Sequence, residues 1–130
     1  MGMHPKQPNP TVAELEILQV LWERGPGSVR DILRALNERK PTGYTTALKL
    51  LQIMFEKELV QRDERQRPQI YRARYPREHT QRQLLHDLAQ RAFGGSVKAL
   101  VLQAVAGRKS SPKELVEMER LLDRIERGTK

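Results

Sequence analysis

The chain has 130 residues, which is enough for one compact domain or a small domain with an appendage, and this length argues against a large catalytic architecture. Lysine and arginine number 24 against 16 acidic residues, and the net charge of +8 favours a polyanionic partner, for which DNA, RNA and an acidic membrane are the alternatives. Cysteine is absent from the sequence, which excludes disulfides, thiolate metal sites and cysteine nucleophiles.

The N-terminal segment contains three prolines and no apolar periodicity, which indicates a disordered leader over residues 1–10. This segment lacks the apolar stretch of a signal peptide. No run elsewhere approaches the roughly 18 apolar residues of a membrane span. We therefore expect a soluble, cytoplasmic protein that does not insert into a membrane.

Two helix starts follow the leader. Thr11 and Glu14 have the spacing of a capping box, in which each residue bonds the backbone amide of the other, so a first helix is predicted to start here and to end before Gly25. The same logic applies to Ser28–Asp31 and predicts a second helix that ends near Lys40-Pro41.

A third helix is predicted over residues 45–59 from the spacing of its apolar side chains. The alternating segments 59–62 and 69–73 flank a polar stretch and predict a β-hairpin. Three helices followed by a hairpin are the element order of a winged helix. We assign residues 11–76 to a winged helix-turn-helix domain.

Three further helices are predicted in residues 77–130: one that ends at Gly94-Gly95, one over Val97–Ala106, and one that begins after Ser111 and ends at Gly128. A segment of about 50 residues is too small to hold a stable core alone. We therefore expect a mainly α protein with a small β-hairpin, in which the second region is a helical arm that forms a homodimer. The residues expected in the dimer contact are Leu88, Val97, Leu100, Val101, Leu115, Met118, Leu122 and Ile125.

The third helix has a polar face that suits DNA. A helical wheel places Thr45, Lys49 and Gln52 opposite its apolar residues, with Thr46 beside them. Hydroxyls and the first backbone amides of a helix bind phosphate, whereas lysine and glutamine reach guanine and adenine edges in the major groove. An ordinary solvated helix face is the alternative interpretation.

The hairpin is rich in arginine, which favours contacts with phosphates beside such a helix. A charged edge that discourages strand aggregation is the alternative. The hairpin arginines are Arg62, Arg65, Arg67, Arg72 and Arg74, of which Arg65 and Arg67 lie nearest the turn. The predicted DNA contacts are Tyr44, Thr45, Thr46, Lys49, Gln52, Arg62, Arg65 and Arg67.

Several short segments between roughly residues 10 and 125 occur in the order and with the spacing of a known protein family. They are Glu14-Leu15, Leu21-Trp22, Gly43–Ala47, Leu50–Gln52, Phe55–Lys57, Leu59-Val60, Phe93–Ser96 and Leu100-Val101. With these segments the chain resembles the penicillinase repressor family of the BlaI/MecI/CopY type. The resemblance implies a winged helix with a dimerisation arm that binds a dyad-symmetric operator in double-stranded DNA and blocks transcription.

In this family, induction often follows cleavage by a membrane sensor-protease, and the resemblance puts the corresponding cut near Gln103-Ala104. The sequence departs from the family's pattern at this pair, which replaces an asparagine followed by an aromatic residue. It also departs at Leu48 and Ile53, where arginine is frequent, and at Glu58, where glycine is frequent.

The sequence contains little that indicates an enzyme. His79, His86 and Asp87 lack the spacing of a metal site or a third catalytic partner, so we expect solvated surface there and neither an enzyme nor a metal or cofactor site. Two alternatives remain open at this point: a winged-helix regulator controlled by a small effector bound near the dimer arms, and a winged helix that binds protein and not DNA.

Overall fold

The computed structural model describes residues 9–106 and 111–128, with side chains as far as residue 124, so residues 1–8 of the predicted leader lie outside the described residues. The elements are α1 (Val12–Arg24), α2 (Val29–Asn37), α3 (Tyr44–Glu56), β1 (Val60–Asp63), β2 (Ile70–Ala73), α4 (Arg77–Ala92), α5 (Val97–Ala106) and α6 (Pro112–Gly128). The predicted fold class, a mainly α winged helix with a small hairpin, is confirmed.

Both predicted capping boxes are present at the starts of the first two helices. The Thr11 hydroxyl accepts from the Glu14 amide at 3.2 Å, and the Glu14 carboxylate accepts from the Thr11 amide at 2.9 Å. Ser28 and Asp31 exchange the same two bonds at 3.2 and 3.0 Å. These bonds satisfy amides that a helix start leaves without intrahelical partners.

The second helix ends at Asn37, earlier than the predicted end near Lys40-Pro41. The Asn37 side-chain amide donates to the Leu33 carbonyl at 2.9 Å and to the Thr42 carbonyl at 3.1 Å, and its oxygen accepts from the Thr42 amide at 2.9 Å. This side chain therefore holds the chain in a turn that competes with another helical turn.

The third helix also ends earlier than predicted, at Glu56 and not near Leu59. Glu58 has a φ of 62°, in the left-handed region, and the Leu59 amide donates back to the Met54 carbonyl at 2.9 Å. This geometry ends the helix and turns Leu59 into the core, where it is buried.

The left-handed residue gives a stability prediction. Non-glycine side chains are strained at this φ, so we expect Glu58→Gly to be more stable than Glu58→Ala by about 1 kcal/mol. Both variants lose the Arg74–Glu58 ion pair of 2.8 Å, so its loss cancels in the comparison. Urea denaturation of the two variants measures the difference, and equal midpoints would contradict the strain.

The first compact unit, residues 1–81, has one core between the first three helices and the hairpin. In the hairpin Val60 lies opposite Ala73, and Arg62 lies opposite Tyr71. Gly27 and Tyr71 exchange backbone hydrogen bonds of 3.0 and 2.8 Å, which attach β2 to the start of α2. The buried core residues are Ile17, Leu18, Leu21, Ile32, Leu36, Ala47, Leu51, Met54, Leu59, Val60 and Tyr71.

The second compact unit comprises residues 82–130, so the boundary between the units falls within α4. Ala89 and Leu100 are its buried apolar residues among those that the structure describes. The Lys98 ammonium contacts the Asp123 carboxylate at 2.9 Å and links α5 to α6. The described side chains of this unit therefore contribute little hydrophobic stabilisation.

Candidate nucleic-acid interface

The outward face of α3 is the centre of the candidate interface. Ala47, Leu51 and Met54 are completely buried and fix the helix on the core. The opposite face is polar and open to solvent, as the helical wheel predicted. Its exposed polar residues are Thr45, Thr46, Lys49, Gln52 and Glu56. The helix is thus held rigidly while its polar face is available to a partner.

The start of α3 differs from the starts of α1 and α2. Gly43 occupies the N-cap position and offers no side-chain hydrogen bond, whereas Thr11 and Ser28 cap their helices. The first intrahelical bond of α3 is donated by the Ala47 amide to the Gly43 carbonyl. The amides of the first turn and the hydroxyls of Thr45 and Thr46 can therefore face an anion.

Arg30 belongs to this surface, although the sequence pattern did not predict it. Its guanidinium lies 5.3 Å from the centre of the Tyr44 ring, and both side chains are exposed. They line a groove of about 440 Å³ that extends to Gln69 of the hairpin. The winged-helix topology brings the starts of α2 and α3 together. A cation at the second position of α2, where Arg30 lies, could therefore have been predicted to join the surface.

Most hairpin arginines have partners within the chain. Arg62 contacts Glu64 at 2.8 Å and lies over the Phe55 ring, 3.8 Å from its centre. Arg65 contacts Asp63 at 3.1 Å. Arg67 donates to the backbone carbonyl of Glu64 at 2.7 Å. These arginines are partly neutralised or positioned by neighbours, which reduces the charge that the hairpin offers to phosphate.

Among the described residues, two exposed cations of this surface have neither a charged or hydrogen-bonding partner nor an aromatic ring beneath them, as Arg30 has. Neither Lys49 on α3 nor Arg72 on β2 forms a hydrogen bond or an ion pair with another residue in the part of the chain that the structure describes. Arg72 lies opposite Gln61 in the hairpin register, and both are exposed. Lys49 and Arg72 are therefore the cations most available to an anionic partner.

The carboxylate of Asp63 organises the hairpin turn. Hydrogen bonds from the Arg65 side chain, from Gln66 and from the Arg65 backbone lower the pKa of Asp63 to about 2, from an ordinary value of 3.8. Because the folded-state pKa is lowered, the carboxylate stabilises the turn above pH 3.8 and loses this effect as the pH falls through about 2.

We expect the Asp63 carboxyl carbon to titrate near pH 2 in an NMR experiment, and the midpoint to rise toward the ordinary value in Arg65→Ala. Arg67→Ala is the matched control, because Arg67 bonds backbone carbonyls and not Asp63. An ordinary midpoint in the unmodified protein would show that these hydrogen bonds are absent in solution.

The predicted dimer residues occupy different environments. Leu88 is exposed, whereas Leu100 is buried within its own unit. Val97, Val101, Leu115, Met118 and Leu122 are half-buried, and the side chain of Ile125 lies outside the described residues. Val116 and Leu121, which the sequence analysis did not select for the dimer contact, are exposed. Gln103 and Ala104, the predicted cleavage position, are exposed within α5.

Comparisons with known proteins agree with this architecture. The profile of a family described as penicillinase repressor matches residues 10–124. The chain belongs to the penicillinase repressor family. It is 21% identical to a penicillinase repressor from Staphylococcus aureus over 123 residues, which cover 95% of this chain and 98% of the relative. The resemblance predicted from the sequence is confirmed, and the family is one of transcriptional repressors that bind DNA.

Two further observations concern other classes of protein. No helix among the described residues is long and apolar enough to cross a membrane. Within the same residues, no group of three or more histidine, aspartate or glutamate side chains is arranged to hold a metal ion. His79 stacks on Tyr75 with ring centres 4.3 Å apart.

Proposed function

We propose that this member of the penicillinase repressor family is a sequence-specific repressor that binds a dyad-symmetric operator as a homodimer in the cytoplasm. The single observation that carries this proposal is the face of α3, where a polar surface with an uncapped helix start lies opposite three completely buried residues. A rigid helix with such a face suits the major groove of DNA.

The residues of α3 have distinct roles in this proposal. Thr45 and Thr46, with the backbone amides of the first turn, bind phosphate and set the position of the helix. Lys49 and Gln52 lie farther along the same face, where lysine suits guanine and glutamine suits adenine. Tyr44 contacts the DNA backbone beside the helix start.

Other elements contact phosphates on either side of the groove. Arg30 extends the phosphate-binding surface from α2, next to Tyr44. Arg72 and Arg67 contact the backbone from the hairpin, and Arg65 does so when phosphate competes for its bond to Asp63. Arg62 acts mainly by fixing the hairpin against Phe55, over which it lies. These contacts position the protein without reading sequence.

The helical arm joins two copies of the chain. Leu85 and Leu88 on α4 and Val116 and Leu121 on α6 expose apolar surface that a second copy can cover. Two winged helices held in this way engage half-sites about 34–36 Å apart, one turn of DNA. Binding of the first head raises the effective concentration of the second.

Relief of repression by proteolysis is the regulatory part of this proposal. A membrane sensor-protease would cut at Gln103-Ala104, which separates most of α5 from α6. Since α6 carries Val116 and Leu121, the cut removes part of the dimer surface. The exposure of both residues at the cut is the observation that supports this route.

Two substitutions test the DNA surface. The binding site on DNA is first identified by footprinting the purified chain on the DNA upstream of its own gene. Lys49→Ala should then weaken binding to that site by about ten-fold. It should also reduce the ratio of this affinity to the affinity for random DNA, because a base contact is lost. Arg72→Ala should weaken binding to both DNAs equally and flatten the salt dependence by about one unit, because a phosphate contact is lost.

Arg24→Ala is the matched control, since it removes one exposed positive charge that pairs with Glu38 outside the proposed surface. It should leave both affinities nearly unchanged. If the chain shows no preference for any DNA and no fall of affinity with salt, the protein binds a partner other than DNA and the proposal is wrong.

A further inference from the structure

One apolar side chain interrupts the polar face of α3. Ile53 is 37% exposed, and within the described residues it belongs neither to the core nor to the apolar residues packed against it. It follows Thr46 by seven residues and Lys49 by four, so the three side chains lie along one side of the helix. Ile53 therefore lies within the surface that faces DNA in the proposed function.

Anchoring of the helix on the core does not require an isoleucine at this position. The helix is already anchored by Leu51 and Met54 on its opposite side. A β-branched side chain loses rotamer freedom in a helix and is a weaker helix former than lysine or glutamine. At 37% exposure Ile53 also keeps much of its apolar surface in water.

The major groove presents one apolar group at the base edges, the C5 methyl of thymine. We propose that Ile53 covers a thymine methyl group and makes this chain select thymine at one position of each half-site. This inference rests on the proposed function, because it requires α3 to lie in the major groove. The four residues from Lys49 to Ile53 span about 6 Å along the helix. The thymine therefore lies close to the base pair that Lys49 contacts.

The test removes the methyl group alone. A duplex is selected from random-sequence DNA by binding to the full chain, and each thymine is then replaced in turn by deoxyuridine, which lacks only the C5 methyl. We expect one position in each half-site at which the replacement weakens binding by about four-fold, the effect of one buried methyl group. Replacements at other positions should have little effect.

The variant Ile53→Ala identifies the residue responsible. It should bind the thymine and deoxyuridine duplexes equally at the sensitive position, with about the affinity of the unmodified chain for the deoxyuridine duplex. Val12→Ala is the matched control, because Val12 is an apolar side chain 78% exposed on α1. This variant should still bind the thymine duplex about four-fold more tightly than the deoxyuridine duplex. Unchanged thermal unfolding shows that both variants are folded.

The outcomes separate this inference from the proposed function. If the chain prefers its selected duplex but tolerates deoxyuridine at every position, or if Ile53→Ala keeps the difference, the thymine contact is wrong and the repressor function stands. If no duplex is enriched over random DNA, both proposals are overturned.

Discussion

Replacing Leu88 and Leu121 together with glutamate should convert dimers into monomers and lower operator affinity by about 100-fold or more. The two side chains are 48% and 52% exposed within one chain, so the change costs little in the fold of the arm. In a dimer, each glutamate would be buried without a partner, which is strongly unfavourable. Sedimentation velocity measures the assembly, and gel shifts on the footprinted site measure the affinity.

Leu88 and Leu121 suit this test because both are exposed within one chain. Leu100, which the sequence analysis placed in the dimer contact, is buried within its own unit, so a charge there would disrupt the arm itself. Val12→Glu makes the same chemical change at an exposed position of the first unit and should leave the dimer intact. A dimer that persists in the double variant would show that α4 and α6 associate through other residues.

Lys57→Met should destabilise the first unit by about 3 kcal/mol, because it leaves a buried carboxylate without its cation. The Lys57 ammonium contacts the two Glu14 carboxylate oxygens at 2.8 and 3.0 Å, and Glu14 is 2% exposed. Methionine keeps the apolar stem of lysine and removes its charge. The Thr11 amide remains as a hydrogen-bond donor to Glu14, so the expected loss lies at the lower end of such effects.

Urea denaturation followed by Trp22 fluorescence measures this effect, because Trp22 is the single tryptophan of the sequence and lies in the same unit. Arg24→Met is the matched control, since the Arg24–Glu38 pair is more than half exposed and contributes less than about 1 kcal/mol. Adding Glu14→Gln to Lys57→Met should restore part of the stability. If Arg24→Met and Lys57→Met lower the free energy of unfolding by equal amounts, the burial of Glu14 does not determine the effect.

Features that depend on nearby residues could be predicted from the sequence. The capping boxes join residues three positions apart, so the pairs Thr11/Glu14 and Ser28/Asp31 were sufficient to predict two helix starts. The exposed face of α3 followed from helical periodicity, which placed it opposite the apolar residues, and two of these, Ala47 and Leu51, are buried. The assignment of DNA contacts to this face remains a prediction.

Features that depend on distant residues were set only by the tertiary structure. Glu14 finds its cation 43 positions away, and Arg74 pairs with Glu58 across the start of the hairpin. The burial of Leu100 and the approach of Arg30 to Tyr44 were likewise not evident from periodicity.

The sequence by itself thus determined the order of the elements, the helix starts and the buried face of α3. Backbone hydrogen bonds and side-chain periodicity act over three or four residues, so a linear pattern contains them. The tertiary structure decided which charges are neutralised and which apolar residues stay exposed. Those properties depend on distances between elements, because Coulomb energy and burial are fixed only when the elements pack.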